Sequence, residues 1–160
     1  MNPVDRPASS PRRCPMLGCV ADDYTGASEL ALNLVQGGMR VVQFLGVPSS
    51  TELAEVDADA VVVALKTRSV PKQEAFDASL NALRELRNAG VERFFFKYCS
   101  TFDSTAEGNI GPVASAMLRE LGATQTVFCP AFPANGRTVY QGHLFVNDRL
   151  LNESGMEAHP

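Results

Sequence analysis

Between Leu17 and Cys129 the chain alternates short apolar runs with longer stretches whose apolar residues recur at helical spacing, and this rhythm limits the fold more than any other feature. Residues 17–21, 41–45, 60–65, 94–97 and 126–129 have the length and largely apolar make-up of strands, with β-branched or aromatic residues prominent in the last four. The runs 60–65 and 94–97 read as strands covered on both faces. Ala27, Leu30, Ala31, Leu34 and Val35 make one helical stripe, ended by Gly37-Gly38. Phe76, Leu80, Leu83 and Leu86 make a second, opened by Pro71 and stopped by Gly90. A third is opened by Pro112, runs through Val113, Met117, Leu118 and Leu121, and ends at Gly122. Parallel strands need long crossovers, usually helices. The expected fold is therefore α/β, a three-layer, mostly parallel sheet with helices on both faces. Residues 46–59 read mostly as loop. Beyond residue 129 the rhythm changes: 138–146 reads as two short strands about Gln141-Gly142, and Leu150-Leu151 begins another short element.

A chain of 160 residues suits one domain with a real core. A net charge of −4 argues against general nucleic-acid or membrane-surface binding, and no apolar run has the length of a bilayer span. Residues 1–15, with four prolines and three arginines, read as a disordered N-terminal extension, leaving 16–160 as the folded unit. Cysteines 14, 19, 99 and 129 lack zinc-type spacing, and Cys99 and Cys129 are expected to be buried at the ends of core strands. His143 and His159 are the only histidines, so no metal site is argued. Without a signal peptide, the expected location is cytoplasmic.

Each polar block follows a predicted strand, which is where open parallel sheets bind ligands. Asp22 and Asp23 come after the first run. One of these carboxylates could accept hydrogen bonds from substrate hydroxyls and orient or deprotonate an attacking hydroxyl. In the plainer alternative Asp23 or Thr25 caps the helix and Asp22 is solvated. Lys66 and Arg68 point the same way on extended chain and could grip a carboxylate, Arg68 bidentately, with Lys97 reinforcing them. The alternative is a surface pair or a salt bridge from Arg68 or Lys66 to Asp22 or Asp23. Ser100, Thr101 and Asp103 follow the aromatic run, as ligand contacts or as helix caps. Gly108, Asn109 and Gly111 form a helix entrance whose free amides suit an acid or a phosphate, or form merely a turn. Asn135 and Arg137 belong to a turn carrying a cation. Neither a Gly-x-x-x-x-Gly-Lys-Ser/Thr loop nor a Gly-x-Gly-x-x-Gly turn is present, so a nucleotide or dinucleotide site of those types is not supported.

Four blocks also carry a family resemblance. These are Ala21-Asp22-Asp23-Tyr24-Thr25-Gly26-Ala27, Leu65-Lys66-Thr67-Arg68-Ser69, Lys97-Tyr98-Cys99-Ser100-Thr101-Phe102-Asp103-Ser104-Thr105 with Gly108-Asn109-Ile110-Gly111-Pro112, and the stretch from Pro130 to His143. In one register from Leu17 onward, the chain resembles the N-terminal domain of the four-carbon acid sugar kinases, in particular the 3-oxo-tetronate branch. The resemblance implies ATP-dependent phosphorylation of the terminal hydroxyl of such an acid. It implies that Asp23 or Asp22 serves catalysis and that the remaining polar residues bind a small-molecule sugar acid. ATP and Mg²⁺ would be held mainly by a C-terminal nucleotide-binding domain, expected to be absent here, so half a site should give little or no catalysis. That domain could be a separate subunit, and a homo-oligomer is also open. The rivals are a non-catalytic sugar-acid-binding module, a degraded kinase fragment, and an unrelated α/β hydrolase or mutase with an Asp nucleophile.

Overall fold

The computed structural model describes residues 15–102 and 107–156. The expected extension up to Cys14 and the site candidate Asp103 lie outside them. Four parallel strands, β1 (Leu17–Ala21), β2 (Val41–Leu45), β3 (Ala60–Ala64) and β4 (Arg93–Lys97), form a sheet in the order β2-β3-β1-β4. The helices are α1 (Tyr24–Gln36), α2 (Ser50–Ala54), α3 (Lys72–Asn88) and α4 (Ile110–Leu121). Strand side chains alternate between faces. Cys19, Ala21, Val62 and Ala64 meet Ala27, Leu30, Ala31 and Leu34 of α1 on one side. On the other side Val20, Val61 and Val63 meet Leu80, Leu83 and Leu86 of α3 and Val113 and Met117 of α4. This is the expected three-layer architecture. β3 is wholly buried, being flanked by strands and covered on both faces.

Two expectations fail together. Residues 126–129 form no strand, and Val127 is 85% exposed. β4 is consequently an edge strand, and Phe95, expected inside, is 45% exposed. A cavity of about 490 Å³ lies between Phe94–Phe96 of β4, α1, α4 and residues 126–132. Residues 128 and 129 of its outer wall are held towards the end of β4 by side chains, not by a ladder. The amide of Cys129 donates to the Tyr98 hydroxyl at 2.8 Å. The ring of Phe128 packs with those of Tyr98 and Phe102. Strand propensity without an aligned partner backbone does not make a strand. For the same reason Cys129 is exposed, whereas Cys99 is buried as expected.

Smaller differences have local causes. The stretch expected to be loop contains α2, entered through a capping box in which Ser49 and Glu52 satisfy each other's backbone amides. α4 begins at Ile110, two residues before Pro112, and ends at Gly122 in the left-handed conformation. Beyond it, a 3-10 turn (Pro133–Asn135) leads into an antiparallel sheet of β5 (Arg137–Tyr140), β6 (His143–Val146) and β7 (Arg149–Leu150). The β5–β6 hairpin turns on Gln141 and Gly142, with φ of 48° and 80°, the twist that suits a two-residue hairpin.

Candidate functional site

Register places the carboxyl ends of three strands side by side, with Ala21 opposite Ala64 on one flank and Lys97 on the other. The backbone stays stitched just beyond them. Asp22 N donates to Lys97 O at 3.0 Å, while Thr67 N and Arg68 N donate to Asp22 O at 2.9 and 3.2 Å. The polar blocks after β1, β3 and β4 therefore meet.

Asp22 is 4% exposed. Arg68 grips it bidentately, Nη2 to Oδ1 at 2.7 Å and Nε to Oδ2 at 3.2 Å. The same Nη2 stands 3.0 Å from Asp23 Oδ1. Asp23 also caps α1, accepting from Gly26 N at 2.8 Å. The capping alternative thus describes Asp23, but Asp22 is buried and paired, not solvated, and the two carboxylates converge on one guanidinium. Burial pushes the Asp22 carboxyl above the usual carboxylate range, although the Arg68 hydrogen bond and charge oppose it. Burial also works against the Arg68 cation, but the Asp22 hydrogen bond and charge outweigh it and its pKa rises. Bidentate contact with both carboxylate oxygens, one bond as short as 2.7 Å, marks an ionic pair. Acid reaches that pair through Asp22.

The lysines lie to either side. Lys66 Nζ sits over the Tyr24 ring, 5.0 Å from its centroid. Lys97 Nζ donates to Tyr98 O at 2.8 Å and stands 3.8 Å from Glu29 Oε2. Gly26 makes this crowding possible. A Cβ there would fall 2.5 Å from Asp23 Oδ1 and 3.5 Å from Lys97 Nζ.

Of the residues after β4, Ser100 is half-buried and Thr101 buried. Asn109 is 9% exposed and occupies the N-cap of α4 without a capping bond. Its Nδ2 instead donates to the carbonyls of Thr67, Arg68 and Val70 at 2.8, 3.3 and 2.9 Å. Asn109 therefore fastens the loop after β3 to the start of α4. Gly108 is half-buried and Gly111 exposed, with open space where a Cβ of Gly111 would stand. Asn135 Nδ2 donates to Glu29 Oε1 at 2.6 Å, and Arg137 Nη1 to Asn135 O at 2.6 Å. The 3-10 turn thus joins the site from the Lys97 side. Glu29 is the residue that sequence reasoning missed: it reads as an ordinary helix-surface glutamate, and nothing in its neighbours marks it. Among the described residues no three His, Cys, Asp or Glu side chains gather as metal ligands.

Residues 17–160 match the family model described as the sugar-binding N-terminal domain. The chain belongs to that family. It is 60% identical over 152 residues to a 3-oxo-tetronate kinase of Pseudomonas fluorescens, covering 95% of this chain and 35% of the kinase. A crystal structure of a Haemophilus influenzae protein superposes with a TM-score of 0.84 at 53% identity, over 89% of this chain and 34% of that one. A Bordetella bronchiseptica protein, crystallised with citrate as a domain-swapped dimer, matches with a TM-score of 0.73 at 32% identity, over 88% and 35%. The sugar-binding domain thus spans about a third of the length of the relatives it matches.

Proposed function

We propose that this domain binds the sugar acid of an ATP-dependent kinase acting on a four-carbon acid of the 3-oxo-tetronate type. One observation carries the reading: two carboxylates meet the Arg68 guanidinium beyond three adjacent strand ends, with Lys97 ending the third, in a chain closely similar to such a kinase. Asp23 is the more exposed of the two acids and accepts the bond from the substrate hydroxyl, orienting or deprotonating it. Asp22 positions Arg68, whose bidentate face it occupies, so the substrate carboxylate falls to Lys66 and Lys97. Ser100, Thr101, Asp103, Asn135, Arg137 and the segment Gly108, Asn109 and Gly111 complete the hydroxyl contacts.

The described residues do not fit Mg²⁺-ATP. The described carboxylates form no metal cage, and Asp22 is held by Arg68. The nucleotide then falls to the part of such kinases that lies outside this match. A homo-oligomer is part of the reading, supported by the swapped dimer of the Bordetella protein. So is a cytoplasmic location, in keeping with the lack of any described helix long and apolar enough to cross a membrane.

The test is calorimetric titration of the chain with threonate and erythronate. Losing a charge-assisted bond should weaken affinity about ten- to a hundredfold, since such bonds contribute roughly 1.5–3 kcal/mol. Asp23→Asn keeps the cap, because Asn caps about as well as Asp, and Lys97→Met removes the cation. Both variants should bind more weakly at unchanged thermal stability. Unchanged affinity in Asp23→Asn would remove that residue from the site, and no tetronate binding by the wild type would end the reading.

A further inference from the structure

The Glu29 carboxylate faces two ways. Oε1 accepts from Asn135 Nδ2 at 2.6 Å, and Oε2 stands 3.8 Å from Lys97 Nζ. Glu29 lies on the second turn of α1, Lys97 ends β4, and Asn135 closes the 3-10 turn that leads into β5. The chain continues the link, since Asn135 O accepts from Arg137 Nη1 at the start of β5. A single side chain on the parallel-sheet body therefore reaches both the 3-10 turn that leads into the antiparallel sheet and the Lys97 ammonium. That sheet has little core of its own: Val139, Tyr140 and His143 are exposed. Its placement depends on such attachments, and hydrogen bonds to a carboxylate are among the stronger ones available.

We infer that Glu29 is a positioning residue, a latch that holds the 133–150 unit beside the sugar-acid site and sets the Lys97 ammonium over the start of α1. Closed, it keeps Asn135 and Arg137 at the rim of the site. Opened, it releases both and leaves Lys97 with the Tyr98 carbonyl alone among the contacts described above. The effect on ligand rests on the sugar-acid reading, but the latch itself does not.

Two measurements on the 160-residue chain separate these levels. Without ligand, hydrogen exchange should speed up at least tenfold across 137–150 in Glu29→Ala and in Asn135→Ala, while β3 stays slow. Glu29→Gln should restore protection, because its amide oxygen still accepts from Asn135. The double variant should exchange no faster than Glu29→Ala, since both changes cut one bond. Threonate affinity should fall three- to tenfold in Glu29→Ala. Unchanged exchange in Glu29→Ala, additive single effects, or a rise spreading equally into β3 would overturn the latch. Equal threonate affinity in wild type and Glu29→Ala would overturn its coupling to the site. If the wild type binds no threonate, the sugar-acid reading falls, and exchange still decides the latch.

Discussion

Cys19 and Asp22 stand three residues apart on one segment, and burial pushes both in the same direction. The Cys19 thiol is driven from an ordinary 9.0 up to about 12 by burial. Between those values the unfolded chain gives up a proton that the folded chain keeps. Folding stability must therefore fall as pH rises through that window. By pH 10 the loss should be about 1.4 kcal/mol, and it should be absent in Cys19→Ala. Urea unfolding of both proteins at pH 8 and pH 10 measures this, and identical slopes in the two would refute it. The site was only partly legible at this scale. Adjacent aspartates announce acid chemistry, but sequence does not say which is buried, because that depends on Arg68 arriving from 46 residues away. Glu29 and Asn109 were harder still. The first acts across 106 residues and the second across about 40, through partners that include backbone carbonyls no sequence pattern names.

The elements were legible where their signal is local. Period and caps placed β1 to β4, the three long helices and the β5–β6 hairpin, because side-chain alternation and glycine turns are written in the segment itself. The short helix α2 was missed: five residues carry too little periodicity to outweigh a loop reading, and its Ser49–Glu52 capping box emerged only in the fold. Residues 126–129 failed for the opposite reason. Thr126, Val127, Phe128 and Cys129 have strand propensity, but pairing is a long-range event, and the Tyr98 hydroxyl and ring hold their far end away from the β4 backbone. A substitution separates the two arrangements. Val127→Asp should change stability by less than about 0.5 kcal/mol, as exposed substitutions do. Val62→Asp, in the wholly buried β3, should prevent folding by placing an unpaired charge in the core. Urea titration of Val127→Asp decides the matter. A loss of several kcal/mol would mean that the segment pairs as a fifth strand in solution.

At the scale of the molecule, binding and turnover should come apart. The chain collects carboxylates and cations at one end of its sheet, while its sequence holds no phosphate loop of the Gly-x-x-x-x-Gly-Lys-Ser/Thr type. Phosphoryl transfer depends chiefly on placing both substrates and stabilising charge between them. On the proposed reading, the isolated chain should bind a tetronate and release no ADP from ATP. Joined to the remaining part of a 3-oxo-tetronate kinase relative, it should phosphorylate the acid. That gain should vanish in Asp23→Asn, with thermal melts run alongside to confirm that the helix cap survives. Arg68 offers an independent check. Because it holds two carboxylates, Arg68→Met leaves Asp22 buried without its partner and should destabilise the fold by about 3–5 kcal/mol as well as abolish turnover. The joined protein should thus lose activity alone in Asp23→Asn, but activity and stability together in Arg68→Met. Turnover by the isolated chain would sink the division of labour. Full activity in a joined Asp23→Asn protein would keep the kinase and move the role of base to Asp22 or Asp103.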